Sequence, residues 1–206
     1  MNLHNYSGGL VQTNGYILAE EDGTCLLIDA PLGITQHLAE LNLRATDLLL
    51  THQHFDHVED VAALHSAGVK VHALKPHNPE LILDKEAREF MGLPVQITPF
   101  QVDHLIDPEK PLTIASHQFT VLHVPGHSPD SLAFHLSSES YLFAGDALFN
   151  GSIGRTDLPG GNHQQLLDSI RKKLYTLPDV TAVFPGHGPQ TSINKEKSSN
   201  PACPNL

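Results

Sequence analysis

Short apolar runs recur along the whole chain, and glycine, proline or charged residues interrupt them. Runs of this length are typical of strands, whereas a helix repeats its apolar positions every three or four residues. The pattern predicts strands at 15–18, 24–28, 47–50, 69–73, 119–124, 131–136, 141–143 and 181–184. It predicts helices at 34–41, 58–64 and 164–175, and a helix with irregular flanks within 76–96. Strands and helices are therefore interspersed in both halves of the chain.

This arrangement predicts an α/β fold in which helices cover sheets. A length of 206 residues fits one domain with a substantial buried core. We therefore expect a single domain over residues 1–206, with a polar tail from about residue 194. Because the tail is polar and contains two prolines, we expect it to fray.

The chain is acidic, with 12 Lys and Arg against 23 Asp and Glu and a formal net charge of -11. Nucleic acids and anionic membranes attract basic surfaces, so we expect neither as a partner. The N-terminus lacks the basic start and apolar run of a signal peptide. No apolar stretch reaches the ~18 residues that a membrane span needs. We expect a cytoplasmic protein, and no feature of the sequence predicts its oligomeric state.

The segment 51–57, with the sequence THQHFDH, directly follows a short apolar strand. It brings together three imidazoles and one carboxylate, those of His52, His54, Asp56 and His57. Chance alone would give this pattern in about one of a few hundred chains of such composition. The simpler interpretation is a solvated histidine-rich loop. A metal site is favoured because further residues with ligand chemistry follow at other strand ends.

Three later segments share one design, in which a short apolar strand leads into a glycine and then a ligand-type residue. They are LHVPGH, ending at His127, YLFAGD, ending at Asp146, and VFPGH, ending at His187. Strand ends are rigid, and the turns that follow them are free to shape a pocket. With the strand that precedes segment 51–57 they make four strand ends, and we therefore expect these side chains to meet at one edge of a sheet. Imidazole and carboxylate ligands suit zinc, iron or manganese.

In their order and spacing, these residues resemble the metal-binding signature of the metallo-β-lactamase fold superfamily, over nearly the whole chain up to about Pro201. The segments GDALF at 145–149 and SIGRTD at 152–157 resemble its glyoxalase II-like branch, which holds hydroxyacylglutathione hydrolases and persulfide dioxygenases. The ending PGHGP at 185–189 is most similar to the short bacterial single-domain members. The resemblance implies an α/β fold with a four-layer αββα sandwich.

The resemblance also implies seven ligands for two divalent metal ions. Carried over by position, one metal would take His52, His54 and His127, the other would take Asp56, His57 and His187, and Asp146 would bridge them. Zinc is the favoured metal, and iron and manganese accept the same ligands. An aspartate at 146, where true β-lactamases tend to have a thiol or another ligand set, favours a bridged dinuclear hydrolase.

The implied reaction is hydrolysis of a small-molecule thioester, S-lactoylglutathione or a related compound, to a free acid and a thiol. A metal-bound hydroxide would attack the carbonyl, because a catalytic metal lowers the pKa of bound water to about 7. Asp56 and Asp146 would be the catalytic carboxylates that orient this nucleophile. Two-domain relatives recognise glutathione with a C-terminal helical domain, which we expect to be absent because only a short tail follows His187.

Two other functions stay open at this point. An iron-dependent glutathione persulfide dioxygenase would hold one Fe(II) with two histidines and one carboxylate, for which the resemblance implies His52, His127 and Asp146. The second-metal residues do not decide between the two enzymes, because dioxygenases often keep them. A metal-stabilised binding protein without turnover is a third function, which a ligand set with open positions disfavours.

Several residues near the ligands have two interpretations. Asp29, at a strand end, either accepts a hydrogen bond from a ligand histidine or forms a turn. Arg155 and Asp157 form a buried ion pair in the interpretation that we favour, whereas in the other Arg155 binds a substrate carboxylate. His123 and His135 lie in apolar strands, so we expect packed or surface side chains. The remaining histidines have no pattern of partners, and we expect them to be incidental: His4, His37, His65, His72, His77, His104, His117 and His163.

Overall fold

The computed structural model of the chain describes residues 1–205, apart from the side chain of Met91. The chain divides into two compact units, Met1–Ile106 and Asp107–Leu206, which we call unit 1 and unit 2. Each unit is built around one six-stranded mixed sheet. Leu206, the last residue of the predicted domain, lies outside the described residues, and the single-domain organisation stays a prediction.

In unit 1 the strands are neighbours in chain order, β1-β2-β3-β4-β5-β6. The strands are β1 (Asn2–Gly8), β2 (Thr13–Ala19), β3 (Thr24–Ile28), β4 (Arg44–Leu49), β5 (Lys70–Ala73) and β6 (His104–Leu105). The helices are α1 (Ile34–Glu40), α2 (Val61–Ser66), α3 (Pro79–Ile82) and α4 (Asp84–Met91). The first three strands are antiparallel, and β3 to β6 run parallel. Parallel neighbours need crossovers, and α1 and α2 lie in two of them.

One face of this sheet packs against α1 and α2. Leu27 of β3 and Leu48 of β4 belong to the same buried cluster as Ile34 of α1 and Val61 of α2. Each of these four side chains is fully buried. This packing fixes the carboxyl ends of β3 and β4, and the segment 51–57 follows β4 directly.

In unit 2 the strand order is β14-β13-β10-β9-β8-β7. The sheet strands are β7 (Leu112–Ile114), β8 (His117–His123), β9 (Leu132–Leu136), β10 (Tyr141–Gly145), β13 (Ala182–Pro185) and β14 (Thr191–Ser192). β11 (Leu148–Phe149) and β12 (Ser152–Ile153) form a separate hairpin. The helices are α5 (His163–Ser169), which continues as a π-helical turn over Ile170–Leu174, and α6 (Ile193–Ser199). Leu142 and Val183 of the sheet are buried together with Leu166 of α5 and Ile193 of α6.

The apolar pattern predicts most of these elements, because every predicted strand and helix has a counterpart in the structure. The helix expected from residue 58 begins only at Val61, since Phe55–His57 form a 3₁₀ turn. The pattern does not predict β1, whose sequence NLHNYSG is mostly polar; an edge strand exposes much of its surface and needs no apolar run. None of the helices within residues 1–205 combines the length and apolar character that crossing a membrane requires.

The polar tail from about residue 194 is helical and packed, so the expectation that it frays is wrong. Ser192 caps α6 by accepting a hydrogen bond from the backbone N–H of Lys195. Ile193 and Glu196 of the helix are buried, and so is Asn200 just beyond it. Polarity misled the prediction because two of the polar side chains, those of Glu196 and Asn200, are buried and form hydrogen bonds within unit 2.

Candidate metal centre

Four of the predicted ligands lie in one buried loop of unit 1. His52, His54, Asp56 and His57 are at most 6% exposed. The ring of His52 lies 4.5 Å from that of His54 and 4.2 Å from that of His57, between centroids. The carboxylate Oδ2 of Asp56 lies 3.4 Å from Nε2 of His57. Burying this many polar groups is costly unless each has a partner, so such a cluster is typical of a metal site.

Asp29 organises two of these imidazoles. Its Oδ2 accepts a hydrogen bond of 2.7 Å from Nδ1 of His57 and one of 2.7 Å from the Thr51 hydroxyl, and its Oδ1 accepts from the Thr51 N–H at 2.8 Å. The Thr51 oxygen lies 3.1 Å from Nδ1 of His52. Because the hydroxyl hydrogen goes to Asp29, the oxygen accepts from His52. Both histidines thus carry hydrogen at Nδ1 and have their lone pair at Nε2. Of the two interpretations of Asp29, the structure shows the one in which its carboxylate accepts a hydrogen bond from His57.

Thr13 holds the fourth ligand of this loop and was not singled out in the sequence. Its hydroxyl, at the start of β2, donates a hydrogen bond of 2.5 Å to Oδ2 of Asp56. Thr13 is fully buried. The two residues are far apart in the chain, and they meet because β2 packs beside the 3₁₀ turn Phe55–His57. No local signal in the sequence marks this contact.

Gln53 ties the ligand loop to the segment that precedes α3. Its side-chain amide donates to the carbonyl oxygens of Lys75 and Pro76, both at 3.1 Å, and accepts from the N–H of Asn78 at 3.1 Å. Gln53 is fully buried between two ligand histidines in the chain. Residues 75–78 are therefore fixed relative to the ligand loop, although their polar sequence predicts an irregular segment.

In unit 2 the three predicted ligands come from three separate strand ends and meet at Asp146. Oδ2 of Asp146 lies 3.5 Å from Nε2 of His127 and 3.4 Å from Nε2 of His187. His127 and Asp146 are buried, and the His187 side chain is 27% exposed. His127 follows the end of β8, Asp146 follows β10 directly, and His187 follows β13. These three strand ends converge in unit 2, but the expectation that all four strand ends share one sheet edge is wrong, because β4 belongs to the sheet of unit 1.

The β11–β12 hairpin contacts all three ligands of unit 2. The backbone carbonyl of Arg155, just after β12, accepts a hydrogen bond of 2.8 Å from Nδ1 of His127. A carbonyl only accepts, so Nε2 of His127 is again the ligand atom. Gly154 packs so closely that a Cβ there would lie 1.9 Å from the Asp146 carbonyl oxygen and 3.1 Å from Nδ1 of His127. The Phe149 ring packs edge-on against the His187 ring at 6.0 Å.

The geometry of these side chains fits a metal ion. Within the described residues, groups of histidine and aspartate offer ligand atoms close enough to share one ion. Two ligand atoms on a tetrahedral ion, each bound at about 2.0–2.2 Å, lie roughly 3.3–3.6 Å apart. The Nε2–Oδ2 distances of 3.4–3.5 Å at Asp56 and Asp146 match this separation and are long for hydrogen bonds. The donor set, imidazole and carboxylate, suits zinc, iron or manganese.

Arg155 and Asp157 form the expected ion pair, but the prediction that it is buried is wrong. Nε and Nη2 of Arg155 donate to the two carboxylate oxygens of Asp157 at 2.7 and 2.8 Å. The side chains are 52% and 68% exposed. The hydrogen bonds from Arg155 lower the pKa of Asp157 to about 2. An exposed pair contributes little to stability, so the structural importance of residue 155 lies in its backbone carbonyl.

Among the histidines outside the predicted ligand set, His123 and His135 are packed side chains, which is one of the two expected outcomes. His135 is 8% exposed in β9, and His123 in β8 is partly buried, with Nε2 3.0 Å from the Pro129 carbonyl. His72 has a partner that sequence reasoning missed, because its Nε2 lies 2.9 Å from Oδ1 of Asp47 in the neighbouring strand β4. The His104 ring stacks on His72 at 4.8 Å. This pair follows from strand register, which local sequence does not encode.

The family model of the metallo-β-lactamase superfamily matches residues 8–187 of the chain. The chain belongs to the metallo-β-lactamase superfamily. The predicted family and the metallo-β-lactamase fold are therefore confirmed. The matched range ends at His187, the last of the predicted ligands, so the tail that contains α6 lies beyond it.

Three relatives in this superfamily cover nearly the whole chain. "Hydroxyacylglutathione hydrolase GloC" of Haemophilus influenzae is 36% identical, with 98% of this chain and 97% of that protein covered. The crystal structure of "BLEG-1 B3 metallo-beta-lactamase" has a TM-score of 0.86 and 37% identity, with 97% and 98% covered. That of "TTHA1623 in a di-iron-bound form" has a TM-score of 0.81 and 36% identity, with 96% and 98% covered. They support a metal-binding enzyme of the metallo-hydrolase type.

Proposed function

We propose that this protein is a thioester hydrolase of the glyoxalase II type, which cleaves S-lactoylglutathione or a related acyl thioester to a free acid and a thiol. The observation that carries the proposal is the 36% identity to a hydroxyacylglutathione hydrolase over nearly the full length of both chains. The imidazole and carboxylate sets of the two units are the side chains that this chemistry needs. A cytoplasmic location stays a prediction.

The proposal assigns two divalent metal ions to the seven predicted ligands. His52, His54 and His127 hold one, Asp56, His57 and His187 hold the other, and Asp146 bridges them. The buried His and Asp clusters, and the relative described as di-iron-bound, support this assignment. Zinc remains the favoured metal, because the described ligands are nitrogen and oxygen atoms of the kind that tetrahedral zinc binds. Iron and manganese accept the same atoms.

The chain's own residues set the protonation state and orientation of the site. When bound, the metal ions supply an activated water and polarise the thioester carbonyl. Asp29 keeps hydrogen on Nδ1 of His57, and through Thr51 on Nδ1 of His52, so both rings present a lone pair at Nε2. Asp56, held by Thr13, and Asp146 orient the nucleophile as its hydrogen-bond acceptors. The thiol leaving group has a pKa of about 8.5 and needs no protein acid.

Metal analysis combined with three assays tests the proposal. The purified protein is loaded separately with zinc, iron and manganese, and the bound metal per chain is measured. S-lactoylglutathione hydrolysis, oxygen uptake with glutathione persulfide, and hydrolysis of a β-lactam are then followed on the same samples. We expect thioester cleavage with two metals per chain and little turnover of the β-lactam. A fully loaded protein that leaves the thioester intact contradicts the proposal.

A second candidate uses a subset of the same residues. His52, His127 and Asp146 form the two-histidine, one-carboxylate set of an iron-dependent glutathione persulfide dioxygenase. The 3.5 Å approach of Asp146 to His127 brings together two of these three ligands. Oxygen uptake with one iron per chain and no thioester cleavage supports this function instead. A loaded protein that is inactive in all three assays supports a non-catalytic binding protein.

A further inference from the structure

A buried carboxylate in the C-terminal helix contacts the hairpin that carries the ligands of unit 2. Glu196 of α6 is 1% exposed. Its Oε2 accepts hydrogen bonds from the N–H of Gly151 at 2.9 Å and from the side-chain amide of Asn200 at 2.7 Å. Its Oε1 accepts from the Thr191 hydroxyl at 2.5 Å. All three donors are neutral, and together they supply the hydrogen-bond partners that a buried carboxyl group needs.

Asn200 extends this contact along the hairpin. Its amide also donates to the carbonyl oxygen of Ser152 at 3.0 Å, and its Oδ1 accepts from the N–H groups of Ala202 and Cys203 at 2.9 and 3.2 Å. The tail therefore binds one N–H and one C=O on adjacent residues of the hairpin, Gly151 and Ser152. Two adjacent backbone groups fix both the position and the direction of the hairpin's turn.

The side chain at the tip of the hairpin is held by the same segment. The Asn150 amide donates to the Gln190 carbonyl at 3.0 Å and accepts from Nζ of Lys195 at 2.7 Å. Residues 190–200 thus hold every residue of the turn between β11 and β12. The match to the family model ends at residue 187, before this segment begins.

The hairpin is the shared support of the three unit 2 ligands. β11 starts two residues after Asp146, and β12 leads into Gly154 and the Arg155 carbonyl that holds His127. Phe149 of β11 packs against His187. A shift of the turn therefore moves the groups that orient all three ligands together.

We propose that Glu196 and Asn200 are positioning residues for the metal centre, and that α6 sets metal affinity by fixing the β11–β12 hairpin. This inference rests on the proposed function only in taking His127, Asp146 and His187 as metal ligands. It assigns to the tail a part in metal binding that acts through the hairpin. Loss of an outer contact to a metal ligand typically weakens binding by about 10–100-fold.

The test compares variants of the full chain by zinc competition with a chelator and by the visible spectrum of the cobalt-loaded protein. Both are read well below the melting temperature, which is measured for every variant. We expect Glu196→Ala and Asn200→Ala to weaken zinc binding roughly tenfold and to change the cobalt spectrum. Glu196→Gln keeps one acceptor oxygen, so it should restore part of the affinity that Glu196→Ala loses.

Tyr175→Phe is the matched control for lost stability. The buried Tyr175 hydroxyl donates to the Glu196 and Cys203 carbonyls at 3.1 and 3.0 Å, which anchors α6 without contact to the hairpin turn. It should lower the melting temperature and leave zinc affinity unchanged. Ser198→Ala, on the exposed side of α6, should change neither.

Two results would overturn the inference. One is unchanged zinc affinity and cobalt spectrum in both Glu196→Gln and Asn200→Ala. The other is that Tyr175→Phe weakens zinc binding as much as Glu196→Gln does. Zinc affinity is measured without substrate, so the test of α6 does not depend on thioester cleavage. A wild-type protein that binds zinc but cleaves no thioester refutes the proposed reaction, and the variants still test the inference about α6. A wild-type protein that binds no zinc or cobalt overturns both.

Discussion

The two units supply ligands in opposite ways. Unit 1 takes four from one loop, and side chains hold them: Asp29 and Thr51 set the histidine tautomers, and Thr13 holds Asp56. Unit 2 takes three from separate strand ends, and backbone holds them through the hairpin that follows Asp146. In unit 1 the groups that orient the predicted ligands are side chains, which a substitution can remove. In unit 2 they are a backbone carbonyl and a close-packed glycine, which a substitution can only displace.

This difference predicts how mutations act in each unit. A substitution in unit 1 removes one hydrogen bond from one or two ligands, and the rest of the loop stays in place. A substitution in unit 2 either removes a ligand or moves the chain that carries several of them. We therefore expect larger losses per substitution in unit 2 than in unit 1.

The largest expected effect is that of Asp146→Ala, which removes the carboxylate at the centre of the unit 2 set. Its Oδ2 lies within 3.5 Å of both His127 and His187. Losing a bridging ligand should lower the bound metal and reduce kcat for thioester cleavage by about a thousandfold, the upper range for one electrostatic group. Asp179→Ala removes an exposed carboxylate of the same unit and should be neutral. A fully active Asp146→Ala protein contradicts the mechanism.

Gly154→Ala tests whether backbone positions the unit 2 ligands. The added Cβ would lie 1.9 Å from the Asp146 carbonyl oxygen, so the chain must shift, and His127 moves with it. We expect zinc affinity to fall by about 100-fold, at the upper end for loss of outer support. Ser152→Ala, on the exposed face of the hairpin, is the control and should bind zinc normally. Equal affinity in the two variants would mean that the hairpin does not orient the ligands.

Asp29→Asn is the corresponding test in unit 1, with a smaller expected loss. In Asp29 one carboxylate oxygen accepts from the Thr51 N–H, and the other accepts from the Thr51 hydroxyl and from Nδ1 of His57. An asparagine side chain has the same size, but its NH2 group cannot accept, so at least one of these hydrogen bonds is lost. We expect about tenfold weaker zinc binding, because outer acceptors contribute 10–100-fold. Asp47→Asn removes the same charge beside His72, outside the ligand set, and is the matched control. A loss larger than that of Gly154→Ala would reverse the comparison.

The same contrast explains what the sequence could predict. The loop ligands of unit 1 are readable because four of them fall within six residues. Those of unit 2 are readable because each follows an apolar strand and a glycine. Residue type and spacing along the chain, together with the family resemblance, were sufficient to predict the candidate ligands of both units. The convergence of three strand ends on Asp146 then follows from sheet order.

The supports of the ligands could not be read in this way. Thr13 reaches Asp56 only because β2 packs beside the 3₁₀ turn Phe55–His57, and the Arg155 carbonyl is a backbone atom that every residue has. Glu196 lies in a segment whose charged and polar residues predict a frayed tail, but the Glu196 carboxylate is buried. Long-range hydrogen bonds leave no local pattern, so outer residues of a site are predicted less well than its ligands.

Buried histidines outside the ligand sets extend the comparison to pH. Burial lowers the pKa of His135 in unit 2, and burial also lowers that of His72 in unit 1, where the Asp47 carboxylate opposes the shift. The unfolded chain then binds a proton near pH 6.5 that the folded chain resists. The free energy of unfolding of the metal-free protein should therefore fall as pH drops below about 6.5, toward the lower folded pKa values.

His135→Gln and His72→Gln should each flatten this fall, because burial lowers the pKa of both side chains. A single proton changes the slope by at most about 1.4 kcal/mol per pH unit, so this is the smallest effect of the four. Urea unfolding between pH 5 and 8, in the presence of a chelator, measures it. His163→Gln, at the exposed start of α5, is the control and should leave the slope unchanged. A slope that stays unchanged in both variants would contradict the prediction.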